Sequence, residues 1–333
     1  MTGLPDGALG RLRTAVSAPE VPGARYTLGD VLGEGGMGTV YRARDEVLDR
    51  EVAVKVARTP SGPGSAALAE RLRTEARVLA RLEHPGIVPV HDAGLLGDGR
   101  VFYVMKLVRG QTLARALDRL PALDRRLGIL ERIAEAVAFA HQRGVVHRDL
   151  KPDNIMVGDF GEVLVMDWGV AKILGRTETS PPGPPGAGPG QTDPGTVLGT
   201  PGFMPPEQAR GSSGPVDPRA DVYALGALLA YLLTERYPSL AEPPAALLEA
   251  AGEVPRRLRA IATRCLAPAA GDRYPDAGAV AEEIRRFRAG SPVLAYREGW
   301  LERVGQAIRT YRTPILLVVA YLAMRVVVAL LGR

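Results

Sequence analysis

The stretch HRDLKPDN, residues 147–154, places six polar or ionisable side chains within eight residues, and the rest of the chain can be ordered around it. Upstream, short alternating runs from residue 26 to about residue 57 predict antiparallel strands joined by hairpins. The next segment predicts an amphipathic helix, because leucine and alanine recur in it at helical spacing, at Leu68, Leu72, Ala76, Leu79 and Leu82.

Two further strand-like runs, around 86–95 and 101–108, precede a long region in which helical spacing dominates from Leu113 onward. The predicted strands therefore concentrate in the first third of the chain, and the predicted helices in the remainder. This segregation is typical of the α+β class. It predicts a small β-rich lobe followed by a larger α-rich lobe.

The amino-acid composition excludes several classes of protein. The chain has 333 residues, with 42 Lys and Arg, 37 Asp and Glu, and 46% apolar residues, which excludes a disordered chain and suits one large or two modest globular domains. The single cysteine, Cys265, cannot form an intramolecular disulfide, which favours the reducing cytosol. Charges of both signs alternate and no RNA- or DNA-reading motif occurs, so we expect no nucleic-acid partner.

A glycine-rich run, Gly33-Glu34-Gly35-Gly36-Met37-Gly38, follows the first predicted strand. Its G-x-G-x-x-G spacing lets backbone N–H groups approach phosphates closely, because glycine carries no side chain. A dinucleotide-binding turn needs a helix directly after the glycines, whereas Thr39-Val40-Tyr41-Arg42 favours a strand. A glycine loop that covers a nucleotide fits this order better, and an ordinary glycine hairpin is the structural alternative.

Five motifs in order make the region 26–290 resemble a eukaryotic-like bacterial Ser/Thr protein kinase. The glycine run resembles that family's glycine-rich loop, and VAVK at 52–55 resembles its third-strand lysine motif. HRDLKPDN resembles the catalytic loop, while DWG at 167–169 and PPE at 205–207 stand where the family has Asp-Phe-Gly and Ala-Pro-Glu. The resemblance implies a bilobal protein-kinase fold, with an N-lobe over about 25–108 and a C-lobe over about 109–290.

The resemblance also implies a site for ATP. Lys55 would contact the α- and β-phosphates, and Glu75 would hold the lysine side chain, with Glu70 and Glu83 as the rival carboxylates. Met105 resembles a gatekeeper before the hinge, although core packing alone is another role for it. The residues implied to bind nucleotide or its metal are Gly33, Glu34, Gly35, Gly36, Met37, Gly38, Val40, Ala53, Lys55, Glu75, Met105, Lys106, Leu107, Val108, Asn154 and Asp167.

Catalytic roles follow from the same resemblance. Asp149 would accept the proton of the substrate hydroxyl, and Lys151 would contact the γ-phosphate. Asn154 and Asp167 would be ligands of Mg²⁺, with Mn²⁺ as the alternative metal. Lys151 further resembles Ser/Thr-specific kinases, so the implied substrates are protein Ser and Thr hydroxyls. Trp168 departs from the family's phenylalanine.

Three other features complete the resemblance. Asp221 resembles the aspartate that braces the catalytic-loop backbone, and Glu207 and Arg273 resemble an ion pair of the large lobe. Arg148 precedes Asp149, an arrangement that lets a phosphorylated activation loop neutralise a buried cation. We therefore expect autophosphorylation, with a homodimer for the reaction in trans; the candidate acceptors are Thr177, Thr179, Ser180, Thr192 and Thr196.

Two other functions stay open at this point. One is a nucleotide-binding pseudokinase scaffold at the membrane, which the presence of Lys55, Asp149 and Asp167 disfavours. The other is a small-molecule phosphotransferase of the same fold, which the peptide-positioning features Thr200 and PPE at 205–207 disfavour.

The flanking segments differ in composition from the rest. Residues 1–24 predict a flexible lead-in, and the Pro- and Gly-rich insert 180–195 predicts a flexible loop. A juxtamembrane segment, 291–313, leads into an apolar run at 314–331 that predicts a transmembrane helix, with an interfacial helix or a core helix as alternatives. Arginines before the run predict a single-pass protein of the cytoplasmic membrane with its kinase domain in the cytosol.

Overall fold

The computed structural model describes residues 25–35, 38–58, 65–168, 172–173, 202–210 and 217–296, together with 299, 316, 320–321 and 323–325. Several predictions fall outside these residues. They concern the lead-in 1–24, the insert 180–195, the candidate phosphorylation sites, Thr200, and Gly36 and Met37 of the glycine run.

The first lobe is built on a five-stranded antiparallel sheet with the strand order β1-β2-β3-β5-β4. Its strands are β1 (Tyr26–Gly35), β2 (Gly38–Asp45), β3 (Arg50–Ala57), β4 (Val90–Leu95) and β5 (Val101–Lys106). β4 begins at Val90, four residues after the start of the predicted run, because Pro89 has no N–H to give to a sheet.

The two faces of this sheet bury different side chains. Neighbouring residues of a strand point to opposite faces, so Phe102 packs in an outer cluster with Tyr26, whereas Tyr103 packs in the main core. Helix α1 (Ser65–Leu79) covers the inner face with Leu72, Ala76 and Leu79, which recur at helical spacing. The side chain of Leu68, predicted for the same face, lies outside the described part.

The second lobe is mainly helical in the residues that are described. Its helices are α2 (Leu113–Ala116), α3 (Leu123–Gln142), α4 (Pro206–Ala209), α5 (Arg219–Thr234), α6 (Pro244–Ala250), α7 (Arg256–Cys265) and α8 (Ala277–Arg288). Short 3₁₀ helices occupy Leu117–Arg119, Pro152–Asn154 and Ala270–Asp272. The strand-rich first part and helical second part confirm the predicted order of the two lobes.

Helix α5 forms the centre of this lobe, because most of its sixteen residues are buried. A helix that is apolar on all sides must be surrounded by other elements. At Gly226 a side chain would not fit, since a Cβ there would lie 2.5 Å from the Cβ of Cys265 on α7. The buried Cys265 thus has a packing role, and burial raises the pKa of its thiol.

A small sheet at the junction of the two lobes was not predicted from the sequence. Its strands, in the order β6-β8-β9, are β6 (Gly110–Thr112), β8 (Ile155–Gly158) and β9 (Val163–Val165). Two short strands, β7 (Val145–Val146) and β10 (Lys172–Ile173), pair separately. The catalytic-loop sequence therefore lies between strand β7 and strand β8, which fix both of its ends.

Packing onto the large lobe continues past residue 290. Val293 is buried in the main core, and Ala295 and Tyr296 pack against it. No helix in the described part of the chain is both long and apolar enough to cross a membrane. Of the predicted membrane helix at 314–331, twelve residues lie outside that part, and the six described ones, 316, 320–321 and 323–325, are helical.

Candidate active site

The register of the first-lobe sheet gathers four predicted nucleotide-binding side chains on one face. Val40 of β2 lies opposite Lys55 of β3, and Ala53 of β3 lies opposite Met105 of β5. Directly opposed residues of an antiparallel pair share a face, and residues two apart on a strand share it too. Tyr103 of β5 lies opposite Lys55 and joins the same face.

Lys55 is the centre of a buried ion cluster. Its Nζ lies 3.0 and 3.1 Å from the two carboxylate oxygens of Glu75 on α1, and 2.7 Å from Oδ1 of Asp167. The Lys55–Glu75 ion pair expected from the sequence is therefore present. Glu75 is only 1% exposed, and Tyr103 donates its hydroxyl to the same carboxylate at 2.9 Å.

Lys55 and Asp167 stabilise each other's charged forms, whereas burial and the Asp167 charge raise the pKa of Glu75 above its usual value despite the Lys55 ammonium. Burial by itself lowers the pKa of Lys55, but the carboxylates of Glu75 and Asp167 outweigh it and leave the pKa above its usual value. Burial raises the pKa of Asp167, and the Lys55 ammonium reverses this effect, so the net pKa lies below the usual value. Lys55 thus stays a cation at neutral pH, with Asp167 as a carboxylate.

The catalytic-loop residues form a second polar group. Oδ2 of Asp149 lies 3.0 Å from Nζ of Lys151 and accepts a hydrogen bond of 3.1 Å from Nδ2 of Asn154. The same amide nitrogen donates to the backbone carbonyl of Asp149 at 2.7 Å. The side chains of Asp149 and Lys151 are each about one-fifth exposed, so the carboxylate is held in place and still reachable from solvent.

Helix α5 supports this loop through Asp221, which is fully buried. Its carboxylate accepts the backbone N–H groups of His147 and Arg148, each at 2.8 Å, and a hydrogen bond of 2.8 Å from His141. Burial alone raises the pKa of Asp221, but the His141 bond and charge lower it below its usual value. The predicted bracing contact is present.

The turn before Asp167 is held by His147 and Trp168. His147 donates from Nε2 to the carbonyl of Met166 at 2.9 Å and accepts the N–H of Asp149 on Nδ1 at 3.3 Å. This pattern fixes the histidine in a structural position. Its ring centroid lies 4.6 Å from that of the buried Trp168, whose larger aromatic ring fills the place of the family's phenylalanine.

The described glycines at the end of β1 and the start of β2 differ in their role. At Gly38 a Cβ would lie 2.1 Å from the carbonyl oxygen of Val56, so close packing against β3 requires glycine there. At Gly33 and Gly35 the described neighbours leave room for a side chain. Glu34 between them is exposed. These two glycines therefore fit a strand end whose backbone must approach something outside the fold.

The segment after β5 connects the two lobes. Met105 is half-buried beside the main core, and Lys106, the last residue of β5, is exposed. Leu107 and Val108 are half-buried and lie outside regular secondary structure, so they have the position expected of a hinge. The packing of Met105 leaves both of its predicted roles open.

The donor set fits a divalent cation such as Mg²⁺. Asp167 presents a carboxylate that is 47% exposed, and Asn154 uses its amide nitrogen for both of its bonds to Asp149. Among the described residues, no hydrogen bond is made to the amide oxygen of Asn154, which remains available as a metal ligand. Clusters of three or more acidic, histidine or cysteine side chains with metal-binding geometry are absent from the same residues.

The expected ion pair of the large lobe is also present. Arg273 donates to both carboxylate oxygens of Glu207, at 2.7 and 2.8 Å, and to the backbone carbonyls of Arg219, Ala267 and Pro268. Arg273 is 3% exposed, so the pair ties α4 to the start of α5 from within the lobe.

Two residues of the site were not singled out in the sequence. His141 is the side-chain partner of Asp221, and no local motif marks it. Tyr103 could have been found from strand alternation, because it shares a face with Met105 in the predicted run 101–108.

Comparison with known proteins agrees with this geometry. A family model described as protein kinase domain matches residues 26–265. The chain is 37% identical over 315 residues to serine/threonine-protein kinase PksC of Streptomyces coelicolor, which covers 87% of this chain and 53% of that protein. It is 36% identical over 297 residues to serine/threonine-protein kinase PknB of Mycolicibacterium smegmatis, with 83% and 45% covered.

A third relative, serine/threonine-protein kinase pkn3 of Myxococcus xanthus, is 41% identical over 222 residues, which cover 64% of this chain and 38% of that protein. The chain thus spans about half the length, or less, of these relatives. The chain belongs to the protein kinase family, in its eukaryotic-like bacterial serine/threonine branch.

Proposed function

We propose that this chain transfers the γ-phosphoryl group of ATP to Ser or Thr hydroxyls of proteins. The observation that carries the proposal is the convergence of Lys55, Glu75 and Asp167, because it combines a fixed cation with a partly exposed carboxylate. The names of the relatives support the Ser/Thr class. ATP and a divalent metal are what the family implies.

Each side chain then has a defined task. Lys55 holds the α- and β-phosphates, and the glycines where β1 ends and β2 begins allow backbone N–H groups to approach them. Residues 106–108 border the adenine, with Val40 and Ala53 on the neighbouring sheet face. Asn154 and Asp167 hold the metal, which neutralises charge on the phosphates when it is bound.

Asp149 acts on the substrate hydroxyl in this proposal. The hydroxyl oxygen forms a bond to the γ-phosphorus, while the bond from that phosphorus to the bridging oxygen of ADP breaks and the electron pair leaves with ADP. The hydroxyl proton passes to the Asp149 carboxylate. Lys151, 3.0 Å from this carboxylate, neutralises charge on the transferred group.

The test is phosphate transfer by the full chain. We would incubate wild type, Asp149→Asn and Asp159→Asn with Mg-ATP, and with Mn-ATP in parallel, and locate phosphate by intact-mass and peptide mass spectrometry. Asp159 is an exposed control in the turn between β8 and β9. Phosphate on protein Ser or Thr in wild type and Asp159→Asn, and none in Asp149→Asn, supports the proposal. No transfer by any protein, with nucleotide bound, favours a pseudokinase scaffold.

We further propose autophosphorylation in trans. The support is Arg148, whose position before Asp149 suits a phosphate on the activation loop, and the candidate acceptors that lie between DWG and PPE in the sequence. Mixing wild type with Asp149→Asn tests this, because phosphate on the inactive protein requires transfer between two molecules. A rate per molecule that is independent of protein concentration, with an unmodified Asp149→Asn partner, contradicts it.

Membrane attachment is a separate proposal that rests on the sequence. The run 314–331 is apolar apart from Arg325, and arginines precede it, so we propose a single-pass anchor with the kinase domain in the cytosol. Cell fractionation of the full chain beside a variant truncated after residue 312 tests it. Recovery of both proteins in the same fraction contradicts it.

A further inference from the structure

Tyr103 occupies a special place in the sheet. It lies directly opposite Lys55 in the antiparallel pair of β3 and β5, so both side chains leave the same face. Both side chains then contact the same carboxylate, that of Glu75 on α1. The Tyr103 hydroxyl donates to Oε1 of Glu75 at 2.9 Å, and Lys55 Nζ contacts Oε1 and Oε2 at 3.0 and 3.1 Å.

The Tyr103 bond, the third contact of the Glu75 carboxylate, lies where solvent does not reach. Glu75 and Tyr103 are each 1% exposed, so water is not a ready substitute for a missing partner of the carboxylate. Apart from the contacts of Glu75, the described attachments of α1 to the sheet are apolar, through side chains such as Leu72 and Leu79, and apolar packing has no fixed direction. A hydrogen bond is directional and therefore fixes the rotation of α1 more narrowly.

The tyrosine is also a dependable donor. Burial, followed by the nearby charge of Glu75, raises the pKa of the Tyr103 hydroxyl well above its usual value. The hydroxyl therefore keeps its proton throughout the physiological range. Lys55 Nζ lies 5.8 Å from the centre of the Tyr103 ring, so the ring also faces the cation.

We propose that Tyr103 is a positioning residue for phosphoryl transfer: its hydroxyl holds Glu75, and through Glu75 the ammonium of Lys55, in the arrangement that receives the ATP phosphates. This inference rests on the proposed function. Tyr103 adds a contact from β5 to the Lys55–Glu75 pair, so that Glu75 ties α1 to two strands, β3 and β5, rather than to one.

The experiment compares the full chain as wild type, Tyr103→Phe and Tyr26→Phe. Tyr26 is a matched control, because its hydroxyl also donates to a carboxylate, Asp92, at 2.9 Å in the same sheet. It packs on the outer face with Phe102, away from Lys55. Each variant thus loses one hydroxyl and one hydrogen bond, but only one of the two bonds belongs to the site.

Two measurements are made on each protein. Amide hydrogen exchange with mass spectrometry reports the opening of α1, and steady-state kinetics with a serine peptide reports the Michaelis constants for ATP and for the peptide. A hydrogen bond to a charged group corresponds to roughly a tenfold change in an equilibrium. Tyr103→Phe should therefore speed exchange in α1 and raise the KM for ATP, by up to about tenfold, because ATP binds the molecules in which Glu75 holds Lys55 and the variant lowers their fraction.

The other kinetic constants and the control variant should show little change. The KM for the peptide and the kcat at saturating ATP should stay within about twofold, because saturating ATP selects the molecules in which Glu75 holds Lys55. Tyr26→Phe should change neither the exchange of α1 nor the KM for ATP. Faster exchange in α1 without a change in the KM for ATP would overturn the inference, since it would leave Tyr103 as a purely structural residue.

Unchanged exchange in α1 of Tyr103→Phe would overturn the inference as well. The failure of the proposed function has a different signature. If wild type transfers no phosphate, the kinase proposal fails, and exchange of α1 together with the dissociation constant of Mg-ATP then decides the role of Tyr103.

Discussion

Asp221 Oδ1 accepts a hydrogen bond of 2.8 Å from the backbone N–H of Arg148, and Arg148 is a non-glycine residue with a φ of +70°. Such a backbone conformation is strained by about 1–3 kcal/mol unless its surroundings stabilise it. The central helix of the large lobe therefore holds the residue before Asp149 in a conformation that the loop would not keep alone.

Asp221→Asn should weaken this hold. An amide can accept one of the two backbone N–H groups, but its NH₂ group faces the other donor, and a buried donor without a partner costs about 1–3 kcal/mol. We expect the free energy of unfolding to fall by that amount in chemical denaturation. Asp98→Asn is the control, because Asp98 accepts the N–H of Arg100 in an exposed turn. Equal losses in the two variants would contradict the argument.

Glu283 should anchor the segment that follows helix α8. It is 1% exposed, and its carboxylate accepts the N–H groups of Leu294 and Ala295, each at 2.9 Å, and the hydroxyl of Tyr274 at 3.1 Å. Glu283→Gln replaces one acceptor oxygen by a donor, so we expect a loss of about 1–3 kcal/mol of stability. Hydrogen exchange of residues 291–296 should rise in this variant.

Glu282→Gln is the matched control for the Glu283 variant, since Glu282 makes exposed ion pairs with Arg285 and Arg286. Exposed pairs contribute about 0–1 kcal/mol. Unchanged exchange of residues 291–296 in Glu283→Gln would show that burial of Val293 suffices to hold the segment.

Arg273→Lys should destabilise the large lobe although it preserves charge. Lysine cannot reproduce the forked bonds to Glu207 together with the bonds to the surrounding carbonyls, so buried acceptors lose their donor. We expect a loss of at least about 2 kcal/mol in the free energy of unfolding. Arg286→Lys, in an exposed pair with Glu282, should change it by less than about 0.5 kcal/mol.

The Arg273 effect should also depend on pH. Burial raises the pKa of Glu207, but the hydrogen bond and charge of Arg273 lower it further than burial raises it, so the folded pKa lies below the unfolded value. The pair's contribution is therefore present above the unfolded pKa of about 4.3 and is lost as pH falls through the folded pKa. The stability difference between wild type and Arg273→Lys should narrow from pH 7 to pH 3. A constant difference would contradict this linkage.

Trp168→Phe should lower stability by about 1–2 kcal/mol, because the smaller ring leaves a void in the core. The variant also loses the indole N–H, which lies 3.4 Å from the carbonyl of Val165. Chemical denaturation measures the loss. Phe160→Leu is the control, since Phe160 is 96% exposed and its replacement should change stability by less than about 0.5 kcal/mol. A more stable Trp168→Phe variant would indicate that the indole is strained in its site.

The sequence predicted the two lobes and most of the polar groups of the site. The runs that became β1, β2 and β3 alternate clearly, and the spacing of Leu72, Ala76 and Leu79 predicted α1 because helical and strand periods differ. Glu75 was preferred over Glu70 and Glu83 as the partner of Lys55, and the ion pair is present. The β8–β9 hairpin was missed, although the turn at Gly158–Gly161 separates two apolar runs.

Other contacts could not be read from the sequence. His141 and Asp221 are eighty residues apart, and nothing in either neighbourhood indicates the other. The same holds for Glu283, whose acceptor role depends on the return of residues 294–295 to α8. Such contacts depend on how elements pack, and packing joins residues without regard to their distance along the chain.

The sequence by itself determined which chemical groups this protein carries and the order of its strands and helices, because side-chain period and motif spacing are local properties. Only the tertiary structure decided that Lys55, Glu75, Tyr103 and Asp167 meet at one point, and that Asp221 holds the backbone of Arg148. The physical reason is that distances of about 3 Å between distant residues arise from strand register and helix packing, which bury these charges and require them to be paired.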